Sequence, residues 1–141
     1  MYWLLVALLP LFLHEVTAMR KQGVAVRGRL LCGAVPANGT KVRIVDLDTG
    51  PDPDDTLDEK MIDADGKFEL NGSTRELTPI DPVLYIWTDC EDGITPCQRK
   101  ITLKIPKKFI HNGTPKPEQW IDAGVMNLQG KFEEEGRECL H

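Results

Sequence analysis

Four kinds of residue in this 141-residue chain could carry chemistry: cysteines, histidines, an acidic run and a basic strand. Cys90 and Cys97 enclose an acidic, glycine-containing stretch and are followed by "QRKITLKIP". Zinc would ask for tight C-x2-C pairs with two further ligands, whereas the spacing here is C-x6-C and the nearest histidine, His111, follows only after a strand. A thioredoxin-like redox pair would need C-x-x-C beside a βαβ unit, and neither is present. An even number of cysteines, Cys32, Cys90, Cys97 and Cys139, reads instead as two disulfides in a small secreted domain. Sequence alone does not choose among the pairings. If Cys90 ends one strand and Cys97 begins the next, both thiols sit at the base of a hairpin loop, which prefers Cys90–Cys97 and leaves Cys32–Cys139. The long bridge would then stabilise by roughly 4 to 5 kcal/mol and the short one by about 2.5 kcal/mol.

The remaining groups are weaker signals. Asp46, Asp48, Asp52, Asp54 and Asp55 offer hard oxygens, but without the glycine and glutamate positions of an EF-hand loop. A solvated acidic loop is the preferred reading, and no metal or cofactor is expected. Arg99, Lys100, Lys104, Lys107 and Lys108 form the one basic segment that suggests an anionic partner such as an acidic lipid headgroup or a sulfated glycan. A solubilising outer strand face is the competing expectation. Asn38, Asn71 and Asn112 head Asn-Gly-Thr/Ser sequons in a chain read as secreted, and each also reads as an ordinary Asn-Gly turn.

The elements that must position these groups are strands. Tyr2–Leu13 is an uncharged apolar run too short to span a bilayer, and Val16–Ala18 supplies small residues for a signal peptidase, so residues 1–18 are expected to be a cleaved signal peptide and 19–141 the secreted, extracellular domain. Losing Glu15 with that segment leaves 21 acidic against 17 basic residues, a net charge of −4 and a poor match for nucleic acid. "VAVRGRLLC" alternates with Val24, Val26, Leu30 and Cys32 on one face. "DADGKFEL" reads as a turn and a strand, and "VLYIWTD" as a central strand covered on both faces. "RKITLKI" points Ile101, Leu103 and Ile105 inward. A short strand "KMI" follows the acidic loop, and an acidic tail follows "WIDAGVMNL". About eight short strands with Gly/Pro/Asn turns give an all-β, antiparallel β-sandwich of two sheets.

The ordered pieces "VRGRLLC", "DLDTGPDPDD", "DADGKFEL", "TPIDPVLYIWTDC", "PCQRKITLKIP", "DAGVMNLQGKF" and "ECLH" make the chain resemble the nematode transthyretin-like family. The resemblance implies a transthyretin-like (prealbumin-like) sandwich, two disulfides and an extracellular setting, and it identifies no ligand. The wider fold includes hydroxyisourate hydrolases, whose signature has catalytic histidine and arginine and a "YRGS" end; this chain ends "GRECLH". His111 stands beside a turn, and His141, the last residue, is expected to be mobile, so no catalytic residue is assigned. The expected function is non-enzymatic binding of a cell-surface protein or small ligand in signalling or carriage, and the alternative is peripheral binding to anionic lipid or glycan.

Overall fold

The computed structural model describes residues 19–48 and 54–141; the expected leader and Asp52 lie outside them. Ten strands form two sheets: β1 (Arg20–Cys32), β2 (Val35–Pro36), β3 (Lys41–Asp46), β4 (Asp55–Met61), β5 (Lys67–Glu76), β6 (Pro82–Thr88), β7 (Gln98–Lys104), β8 (His111–Asn112), β9 (Ile121–Asn127) and β10 (Glu135–Glu138). The eight strands expected from sequence are among them, and β2 and β10 are additional. The first sheet is built on β1, which pairs antiparallel with β5, β8 and β2 and parallel with β9. The β1–β9 pairing departs from the all-antiparallel expectation. The second sheet runs β10-β7-β6-β3-β4 and is antiparallel throughout.

Alternation along these strands fills the space between the sheets. Val24, Val26 and Leu30 of β1 and Phe68 and Leu70 of β5 meet Val42, Ile44, Leu84, Ile86 and Ile101 of the other sheet in one buried cluster. Burying such side chains contributes about 1.5 to 3 kcal/mol each before the loss of chain entropy is counted. Two buried polar groups fix chain crossings: Gln22 donates to the Thr78 carbonyl and accepts from the Ile80 amide, and Thr40 and Thr88 hydroxyls meet at 2.8 Å.

Three local expectations change. The acidic run carries regular structure sooner than its prolines suggest, because β4 begins at Asp55 rather than Lys60 and pairs with β3 from Asp46. The acidic tail is a strand too: β10 adds to the edge of β7. Asn71-Gly72 is no turn but lies within β5, where Leu57 of β4 covers the glycine so closely that a Cβ would stand 2.5 Å from the leucine Cβ. Asn38-Gly39 and Asn112-Gly113 do turn, with φ of 75° and 76° at the glycines.

Candidate functional site

The β6–β7 connection, residues 89–97, carries a disulfide near each end. β6 ends at Thr88, and Cys90 turns into the interior, where it is bonded to Cys32 at the end of β1 with the Cα atoms 5.6 Å apart. Cys97 precedes Gln98, which is paired with Glu138, so the next cross-strand position belongs to Cys139, and those two cysteines form the second disulfide. The hairpin pairing Cys90–Cys97 and the long pairing Cys32–Cys139 are therefore corrected. The loop is not a flat hairpin end: its first cysteine faces the opposite sheet, its second faces a neighbouring strand, and the two thiols never converge.

Left-handed backbone at Glu91 (φ 54°), Gly93 (φ 55°) and Cys97 (φ 66°) curls the segment between the staples. Its acidic side chains are each hydrogen-bonded within the protein, Asp92 buried and Asp89 and Glu91 at the surface. Asp92 is buried and accepts both Nη groups of Arg137, Glu91 accepts from Gln129, and Asp89 accepts from Gln98. The Arg137 hydrogen bonds hold the Asp92 carboxyl below its usual range against the opposing effect of burial. Ile94 is fully exposed at the tip.

Arg99 is the second correction. Assigned to an anionic-ligand face, it is 7% exposed, shares the inward parity of Ile101, and donates to the carbonyls of Cys90, Leu128 and Gly130 at 2.7, 2.8 and 2.7 Å and to Glu135. Burial raises the Glu135 carboxyl, but the Arg99 and Phe132 hydrogen bonds and nearby Lys131 bring it below the usual range. Arg99 is thus a brace under the loop, and its parity with Ile101 was the signal in the sequence. Lys100 faces outward but is bonded to Glu138 at 2.8 Å. Lys104, Lys107 and Lys108 are exposed, Lys104 lying 3.8 Å from Glu134 and the other two in a short 3-10 turn. A polar hollow of about 480 Å³ lies between the loop and β10, lined by Glu91, Asp92, Arg99, Lys131, Glu135 and Arg137.

The acidic run gathers a different set than its sequence suggests. Asp46, Asp48 and Asp55 bring carboxylate oxygens within 4.8 Å of one another and of Glu76, which arrives from β5 and was not anticipated. These are the described residues that could hold a cation. Asp46 is buried and accepts from the Asp81 amide, and its burial, together with the charges of Asp48, Asp55 and Asp81, outweighs that bond and raises its carboxyl. Glu76 is raised by burial and by Asp46, Asp48 and Asp55. Asp54 is spent on the Asp48 amide.

The sequon asparagines Asn38, Asn71 and Asn112 are all exposed, though Thr114 of the third sequon accepts from Lys21. The histidines do not meet in one site: His111 pairs with Gly23 in the β1 sheet, whereas His141 stacks on Trp87 of the other sheet at 4.5 Å. His141 is packed, contrary to the expectation of a mobile end.

Comparisons with known proteins agree with this architecture. The Transthyretin-like family matches residues 27–106. Transthyretin-like protein 33 of Caenorhabditis elegans is 47% identical over 124 residues, 88% of this chain and 86% of its own. Transthyretin-like protein 46 of the same organism is 47% identical over 99% of this chain and 76% of its own, and transthyretin-like protein 5 is 48% identical over 85% and 86%. With the sandwich, the two disulfides and these relatives in agreement, the chain belongs to the transthyretin-like family.

Proposed function

We propose that this protein is a secreted, non-enzymatic extracellular binding protein that offers the 89–97 loop end to a cell-surface protein. One observation carries the reading: a loop tied at each end by a different disulfide, with its acids satisfied internally, holds a fully exposed Ile94 outward. A loop ordered before contact loses little entropy on binding, and an apolar residue at its tip is suited to a partner's pocket. The non-enzymatic part of the reading is supported by the separation of the two histidines onto different sheets, where they cannot act as a pair.

The test is binding of purified, fluorescently labelled protein to intact cells. Ile94→Asp should reduce affinity by about tenfold or more while leaving the melting temperature unchanged, since the side chain buries nothing in the free protein. Moderate salt should have little effect. Binding that survives Ile94→Asp but vanishes with salt, or with Lys104, Lys107 and Lys108 replaced by Gln, would instead assign the surface to anionic lipid or glycan. Mass spectrometry of the secreted protein should find Met19 as its first residue; a chain retaining Tyr2 would refute the leader.

A further inference from the structure

On the outer face of the second sheet, Trp87 has the opposite strand parity to the core residues Leu84 and Ile86, yet it is fully buried. His141 covers it, its imidazole stacked within 6° of parallel. Cations surround the indole: Arg43 Cζ stands 4.4 Å from the ring centroid, Lys41 Nζ 5.1 Å and Lys100 Nζ 5.7 Å, with Tyr85 against its side at 5.5 Å. Glu59 and Glu138 place carboxylates at the margins, the first beside Arg43 and Lys41, the second beside Lys100, and the main-chain carboxyl oxygen of His141, the last residue, lies against Lys41.

The cover fits this setting incompletely. Stacking satisfies the ring faces, and Lys41 donates to the His141 main-chain oxygen at 2.5 Å. Trp87 Nε1 and His141 Nδ1 are nonetheless both buried with no hydrogen-bond partner among the described residues, and an orphaned donor or acceptor in such a place is destabilising. Burial and the charge of Lys41 also keep the imidazole less basic than usual. A flat ring bearing an acid group would keep the stack, put anionic oxygens among Lys41, Arg43 and Lys100, and offer an acceptor to the indole N–H.

We propose that the Trp87 face, with Lys41, Arg43 and Lys100, is a binding site for small aromatic acids that displace the His141 ring. The site is independent of the 89–97 loop tip, and Ile94→Asp leaves it intact.

Calorimetric titration with a naphthalene sulfonate tests it, with naphthalene methanol as the uncharged probe of the same ring. Parent protein should bind the sulfonate, and His141→Ala should bind it about tenfold tighter because the competitor is gone. Lys41→Gln combined with Arg43→Gln should weaken it by about tenfold or more, and the alcohol should bind every form weakly. Arg43→Lys keeps the charge and should retain most of the affinity, which separates loss of charge from loss of fold. With Trp120 replaced by Phe, Trp87 is the one tryptophan of residues 19–141, and the bound sulfonate should quench its emission. Equal affinity of parent and His141→Ala, undiminished binding by the charge-removed protein, binding without quenching, or no binding to any form would each overturn the assignment.

Discussion

Replacing Arg99 by Gln separates a structural brace from a surface cation. The substitution leaves Glu135, whose side chain is only 14% exposed, without its guanidinium, and removes the donor shared by the carbonyls of Cys90, Leu128 and Gly130. Breaking a buried charge pair from one side is destabilising by about 3 to 5 kcal/mol, because the surviving charge loses its partner while still desolvated. Against a total stability of roughly 5 to 15 kcal/mol, about 4 kcal/mol is a large fraction. For a domain of this size it corresponds to a fall of about 15 °C in melting temperature. The assay is thermal unfolding with the disulfides intact, at neutral pH, alongside an Arg99→Met, Glu135→Leu double variant. The double variant should recover about half the loss, since no unpaired charge remains although the carbonyls still lack their donor. A single variant melting within about 2 °C of the parent would refute the reasoning, because that is the response of an exposed arginine.

Other outcomes follow from the same geometry. Gly72→Ala should destabilise by about 1 to 3 kcal/mol in a denaturant titration, because its Cβ collides with Leu57 and the β4 backbone beneath it is held by β3. Glu76→Gln should gain stability over the parent as pH rises from 3 to 7: a carboxyl raised above its ordinary 4.5 contributes stability below that value and loses it as pH climbs through the folded value, and glutamine does not titrate. Equal pH profiles of the two proteins by thermal melts would contradict this. Removing either disulfide by paired Cys→Ser changes should destabilise by about 4 kcal/mol, since the bridged residues are separated by 58 and 42 positions and the loops are similar in entropy. A non-reducing peptide map should recover Cys32 with Cys90 and Cys97 with Cys139.

Alternation made most of the sandwich legible: Val24, Val26 and Leu30 in β1, Phe68 and Leu70 in β5, and Ile101 in β7 take the inward positions that their parity assigns. The burial of both faces of β6 was readable from "VLYIWTD", although nothing in that run says that His141 supplies part of the cover. What failed was tertiary. Seeing two cysteines close in sequence favours a local bond, but side-chain direction decides, and Cys90 and Cys97 point to different partners. Charge alone assigns Arg99 to the surface, whereas its parity with Ile101 places it inside. Glu76 joins Asp46, Asp48 and Asp55 only through the meeting of β5 with the start of β4, a proximity that no local pattern encodes. The 89–97 loop end was visible as a loop, while the brace beneath it depends on carbonyls from residues 128 and 130, far along the chain.

The order of the cysteine pairs has a bearing on how the protein is made. First is joined to second and third to fourth, with no crossing of partners. A chain threaded amino end first into an oxidising compartment presents Cys32, then Cys90, then Cys97, then Cys139. Oxidation in order of arrival yields the native connectivity, so the early bond needs no later exchange to release a thiol for the last cysteine. The strand that carries Cys32 must still wait for β9, roughly 90 residues downstream, before its sheet is complete. On the secreted reading proposed above, the first bridge would hold the opposing sheets together while synthesis finishes, and maturation would need little help from a disulfide isomerase.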